Sequence, residues 1–258
     1  MKVLLHLSFV GTEYCGYQIQ PNGMTVQQRL NEATLALFGY PCDIVGCSRT
    51  DSGVHASEFC VAVSKKGQNA LETTIPIERI PQAINCFLPK DIAVFSAEAV
   101  DDAFHPRYDV HYKEYIYRVW NAPERDPFWE DRAWHCPKPI TGDAIARMNE
   151  AAKTWIGTQD FASYMASGSK ITDTTRTVLE AQVSRTEQGI IEFRVSANGF
   201  LYHMVRIFMG TLMDVAYEKI SPGDVPTITA ARDRRVAGQT APACGLYLNR
   251  VVYPKNIQ

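Results

Sequence analysis

The chain has 258 residues, of which 46% are hydrophobic and 21% charged. Its 26 basic and 28 acidic residues leave a formal net charge of −2. These proportions exclude a disordered, collagen-like or coiled-coil chain and suit one large or two small soluble domains. No apolar run approaches the roughly 18 residues of a membrane helix, so no membrane association is expected. Seven cysteines, at 15, 42, 47, 60, 86, 136 and 244, form no CxxC pair. That argues against a zinc ribbon and for a reduced, cytoplasmic protein. The charge does not advertise nucleic-acid binding, but a basic cleft can sit on a neutral protein. From Phe200 onward seven basic residues face four acidic ones, so positive charge is skewed toward the C-terminus.

Residues 2–10 alternate like a strand rather than a signal peptide. Thr25 followed by Gln28 reads as a capping box. Val26, Leu30, Ala33 and Leu37 then recur at helical spacing, and Gly39 stops the helix. Ile44–Ser48 and Phe59–Ser64 read as strands. Pro81 opens a short helix that ends at Leu88, and Ile92–Val100 is a strand. The pattern restarts after residues 101–106. Val110–Asn121 is a long aromatic strand. Thr141 caps a helix with Ile145, Met148, Ala152 and Trp155 on one face, closed by Gly157. Val178–Ser184 and Gly189–Ala197 form a hairpin. Asn198 or Gly199 opens a helix to about Lys219, a second helix follows Pro226, and Leu246–Tyr253 is the last strand.

Each half therefore reads β-α-β-β-α-β, the second with one extra helix. The expected fold is α+β: two ferredoxin-like, RRM-like halves, residues 1–103 and 104–258. Each is a mixed or antiparallel sheet with helices on one face, and the active-site cleft lies between them.

Three segments could carry chemistry. Gly46–Ala56 mixes Arg49, Asp51 and His55 with glycines after a strand. In extended backbone Arg49 and Asp51 point to one face. A guanidinium keeps a neighbouring carboxylate ionised, and an ionised carboxylate can act as nucleophile or base. Gly53 permits a sharp turn. A plain surface Arg–Asp pair fits this pattern as well. The strand face His111, Lys113, Tyr115, Tyr117 and Val119 mixes aromatic and basic groups, which suits base stacking and phosphate contact. It also suits a half-buried strand. Arg206 lies in a mostly apolar helical stretch and needs an anionic partner or a route to water. The six histidines form no HxxxH or HExxH pattern, so no metal site is expected.

Gly46–Ala56, with Arg49-Thr50-Asp51 at its heart, resembles the active-site motif of the TruA family of tRNA pseudouridine synthases. Gly16-Tyr17-Gln18 and Thr25-Val26-Gln27 resemble the family's N-terminal motif. Asn85 with 88–94, Phe104–Tyr108, Lys113–Tyr117, Asp160–Tyr164, Thr175–Thr177, Asn198–Arg206 and Gly245–Leu248 continue the likeness in order over nearly the whole chain. Ser48 stands where a Gly commonly precedes the Arg, and Tyr17 where a Trp is common.

The resemblance implies isomerisation of uridine to pseudouridine at positions 38, 39 and 40 of the tRNA anticodon stem-loop, by a homodimer without cofactor or metal. It implies that Asp51 is the catalytic aspartate and that Arg206 pairs with it. Arg49 reaches phosphate and helps displace the nucleotide, Tyr115 stacks on the flipped uracil, and Leu246 lines the pocket. Lys113 joins Arg49, Arg176 and Arg206 around the cleft. Two other classes remain to be weighed: a non-catalytic RNA-binding module and a hydrolase with an aspartate nucleophile. A carboxylate facing RNA repels phosphate and is of no use to a pure binder. The aromatic-basic strand counts against a small-molecule hydrolase.

Overall fold

Val3, Leu5, Leu7 and Phe9 alternate along β1 (Lys2–Phe9) and are all buried, which fixes one face of the strand against a core. The computed structural model describes residues 1–254. It is an α+β protein of mostly antiparallel strands. The chain divides into two compact units: Met1–His111 with the segment from Tyr247 onward, and Tyr112–Leu246.

In the first unit β1 is followed by α1 (Val26–Phe38), β2 (Cys42–Gly46), β3 (His55–Lys65), α2 (Ile80–Ile84) and β4 (Ile92–Val100). β1 is central, with β3 and β4 antiparallel on either side, and β2 pairs antiparallel with β3. The last strand of the chain, Leu246–Val252, returns to pair in parallel with the start of β3, Tyr247 opposite His55. α1 packs on β2 and α2, and α2 packs on β4.

Thr25 caps α1 by accepting a bond from the Gln28 amide at 3.3 Å, and Gly39 ends it in the left-handed region at φ 76°. The expected reciprocal half of the capping box does not form, because the Gln28 side chain turns to Glu32 instead. α2 ends four residues earlier than the sequence suggests. Asn85, the C-cap, keeps helical backbone angles, and its side chain exchanges two bonds of 2.8 Å with the backbone of Val94, tying the helix end to β4.

The second unit runs β5 (Tyr112–Trp120), β6 (Trp134–His135), α3 (Gly142–Lys153), β7 (Gly157–Asp160), β8 (Thr175–Arg185), β9 (Ile190–Ala197), α4 (Met204–Ala216) and α5 (Val225–Ala231). β5, β9, β8 and β7 pair in that order, all antiparallel, and β6 adds to β5 in parallel. The predicted β8–β9 hairpin is present. Thr141 caps α3 by accepting from the Ala144 amide. Gly157, expected to close α3, instead opens β7 at φ 108°, and the helix ends at Lys153. α3 and α4 pack on each other. Trp155 stacks on Phe208 at 3.9 Å, and Phe161, Tyr164 and Phe193 surround that pair. The Trp155 indole donates to the Tyr164 hydroxyl, so this aromatic core also satisfies its polar groups.

α4 starts at Met204, not near Gly199. Residues 198–203 share the helix's apolar pattern for a different reason. Asn198 is pinned to Thr177 by two backbone-directed bonds, Phe200 packs edge-on against Tyr115, and Leu201 is buried. His203 takes φ 61°, which breaks the register before the helix begins. Among the described residues no helix is long and apolar enough to cross a membrane.

Candidate active site

Asp51 sits in the connection between β2 and β3, and backbone contacts hold that connection on both flanks. On one side the segment 11–17 runs against it. The Tyr17 amide donates to the Thr50 carbonyl at 3.3 Å, and the Gly53 amide and Ser52 hydroxyl both donate to the Tyr14 carbonyl. Gly16, at φ 80°, touches this turn so closely that a Cβ would overlap the Thr50 carbonyl oxygen and lie 3.2 Å from the Asp51 carbonyl carbon. Gly11 lies in the same way against Val54. On the other side the Cys47 amide donates to the Cys60 carbonyl, extending the β2–β3 pairing to the start of the loop. Within the turn the Val54 amide donates to the Asp51 carbonyl, and Gly53 supplies φ 77°.

The side chains beneath the turn are fixed too. Tyr17 is buried, stacks on Phe59 at 4.4 Å and lies over Gly46, where a Cβ would come within 2.5 Å of its ring. Its hydroxyl has no hydrogen-bond partner among the described residues, and burial raises its pKa. Tyr14 donates to the Asp91 carboxylate at 2.8 Å; burial first, and that carboxylate second, push its own ionisation up. His55 is buried and stacked on Tyr247 at 4.7 Å. Its Nδ1 accepts a bond from the Gly11 amide at 2.9 Å, so this nitrogen carries no proton and braces the turn. Asp51 itself is half-buried and Arg49 exposed.

In the second unit Tyr115 is buried on β5, opposite Val195 of β9, with its ring edge-on to Phe200 at 4.9 Å. Lys113 lies two residues before it on the same strand face, opposite Ala197, and is half-buried. The rest of that face differs from the expected aromatic surface. Tyr117 and Val119 are fully buried, and the Tyr117 hydroxyl donates to the Pro242 carbonyl at 2.6 Å. Tyr117 is a core residue whose polar tip pins the chain ahead of Leu246. Gly245 packs on that same ring, and the buried Leu246 follows it at the start of the last strand, β10 (Leu246–Val252).

Arg206 finds a neutral anchor. Its Nε donates to the Ala241 carbonyl at 2.8 Å, and the Ala241 amide donates back to the Arg206 carbonyl. The segment 237–241 lies against α4 at backbone distance. Gly238 donates to the Thr211 hydroxyl, and a Cβ on Gly210 would overlap the Gln239 carbonyl. Arg234 is held against Ala237 and Thr240 of the same segment. Arg176 donates to the carbonyls of Asp173 and Thr175, beside Gly199, and Arg232 pairs with Asp160 at 2.9 Å.

The sequence pattern singles out Arg49, Asp51, Tyr115 and Arg206. It also picks out His55, though not its bracing role, and it does not find the other supports, Gly11, Tyr14 and the 237–241 segment. Only the glycines and the short polar residues around them signal close approach, and their contacts lie far along the chain.

A turn that presents one carboxylate on a backbone-clamped loop now stands beside its relatives. The family model described as tRNA pseudouridine synthase matches residues 7–109 and 151–254. The chain belongs to the tRNA pseudouridine synthase family, isomerases that act on uridine in tRNA. A protein of Thermoanaerobacter sp. (strain X514) named tRNA pseudouridine synthase A is 41% identical over 252 residues, 98% of this chain and 99% of that protein. The Bacillus subtilis (strain 168) protein of the same name is 41% identical over 256 residues, and the one from Clostridium acetobutylicum 39% identical over 252, each with the same shares covered.

Proposed function

We propose that this chain isomerises uridine to pseudouridine in the anticodon stem-loop of tRNA, at positions 38, 39 and 40, with Asp51 as the catalytic aspartate. The observation that carries the reading is the Arg49-Thr50-Asp51 turn held by Gly16, in a chain that matches its family over nearly its whole length. In the reaction the N1–C1′ bond breaks, the base rotates, and C5 bonds to C1′. The C5 proton is lost and N1 gains one, so the balance is zero, and neither redox nor hydrolysis is required. The chemistry calls for no cofactor.

The residues divide the work as follows. A base inside a stem must leave the stack to react. Arg49 reaches phosphate and helps to displace the nucleotide. Tyr115 stacks on the extruded uracil, and Leu246 lines its pocket. Arg206 supplies the counter-charge to the Asp51 carboxylate. Lys113 and Arg176 add phosphate contacts. Each half is ferredoxin-like and contributes residues that contact the RNA. For the first half, the antiparallel strand order β4-β1-β3-β2, with α1 and α2 packed together, supports that description. The working form is a cytoplasmic homodimer.

The test is tritium release. tRNA labelled at uracil C5 should lose its label to water when incubated with the protein, and changing the uridines at 38–40 should stop the release. Retained label with bound tRNA would leave an RNA-binding module; cleavage of the RNA would indicate a hydrolase.

A further inference from the structure

His6 of β1 stands directly opposite Cys60 of β3. Glu58, two residues before Cys60, lies on the same face of the sheet. His6 Nδ1 is 3.0 Å from a Glu58 carboxylate oxygen and 3.5 Å from Cys60 Sγ. One donor atom from each of these three residues lies within 4.8 Å of the other two. The other ring nitrogen, Nε2, is 3.0 Å from a Glu98 carboxylate oxygen on β4. Cys60 is buried, while the His6 and Glu58 side chains keep 15% and 23% exposure, so the cluster is sunk in the sheet yet open to water.

We propose that His6 Nδ1, the Glu58 carboxylate and Cys60 Sγ form a site for a zinc-class divalent metal, with solvent as fourth ligand, tying β1 to β3. A nitrogen, a sulfur and a carboxylate oxygen make a donor set that suits zinc and not magnesium or calcium. Tetrahedral zinc, with bonds of about 2.0–2.3 Å, needs donor separations of about 3.3–3.6 Å. The N–S separation already has this value, and the N–O separation must open by only a few tenths of an ångström. Glu98 occupies the place of the outer carboxylate that orients a metal-bound imidazole through its second nitrogen. A simple Glu–His–Glu bridge accounts for both carboxylates. The Cys60 thiol, 3.5 Å from the same nitrogen as Glu58, adds the third donor.

The expectation of no metal site rested on spacing within one helix. Here the ligands come from neighbouring strands, 52 and 54 residues apart in sequence. Binding is a ligand exchange without redox. The metal displaces the Nδ1 proton and the Cys60 thiol proton, two in all, and Nε2–H stays on Glu98. Metal affinity should therefore rise with pH.

The experiment uses the full chain, stripped with a chelator and titrated with Co²⁺. The expected result is one tetrahedral Co²⁺ with a thiolate charge-transfer band, displaced by one equivalent of Zn²⁺, with two protons released per metal in weak buffer. Cys60→Ser should lose the band, and Cys86→Ser, at an exposed cysteine elsewhere, should keep it. Glu98→Gln should weaken Zn²⁺ affinity by roughly 10–100-fold. If Cys60→Ser fails to fold, the proton count and Glu98→Gln decide. An octahedral Co²⁺ spectrum in the unaltered protein, a band that survives Cys60→Ser in folded protein, or unchanged affinity in Glu98→Gln would overturn the site.

Discussion

The Asp51 turn and the Arg206 helix both rest on glycines at backbone contact, but they are built in different ways. Gly16 and Gly53 take φ 80° and 77°, so the turn needs them for conformation as well as space. Gly210 sits inside α4, where no special backbone angle is required, and serves only to admit the Gln239 carbonyl. The turn is a shape imposed by local backbone. The helix is a surface opened for a distant segment. A carboxylate that must stand out from a loop needs the first device. A guanidinium that must be aimed from a buried helix needs the second.

The largest stability effect should come from the helix. Gly210→Ala drives a Cβ into backbone that has no rotamer to give way, so α4 or the 237–241 segment must shift. We expect a loss of about 3 kcal/mol, read as a fall in the denaturant midpoint. A change below about 0.5 kcal/mol would show that the close approach is relaxed in solution. Gly16→Ala should cost about 1–3 kcal/mol through the positive φ and the overlap with Thr50. Because it moves the turn, it should also slow single-turnover tritium release by roughly 100-fold. Loss of stability with full activity would separate the turn from the chemistry.

How far these two regions could be read from sequence differs for the same reason. The turn announces itself: Gly53, Asp51 and Arg49 lie within five residues of one another, and local chemistry is what sequence reasoning handles best. The caps at Thr25 and Thr141 and the stop at Gly39 were legible on the same grounds. The start of α4 was not. Phe200 and Leu201 satisfy helical periodicity while being buried by contacts of their own, and nothing local reveals that His203 reverses the backbone. Nor does periodicity show that Tyr117 points at Pro242, or that the last strand returns to β3, since both depend on contacts more than a hundred residues apart.

Smaller effects sharpen the contrast. Tyr115→Ala removes a stacking platform and should weaken tRNA binding by about 1–3 kcal/mol, measured by filter binding. Affinity and rate equal to those of the unaltered protein would end the stacking assignment. Tyr17→Phe removes a hydroxyl that is buried and unpartnered among the described residues but keeps the ring on Phe59. It should stabilise the protein by about 1 kcal/mol and leave turnover unchanged. A destabilisation would reveal a buried water bonded to that hydroxyl.

The most direct test of the account is Asp51→Asn, assayed twice on one preparation. The side chain keeps its size but loses its charge, and it stands on a turn held by backbone, so the fold should tolerate the change. tRNA affinity by filter binding should be retained or tighten, because a charge that repels phosphate is gone. Single-turnover release of tritium from C5-labelled tRNA should vanish. Normal release by a folded Asp51→Asn protein would contradict the catalytic assignment.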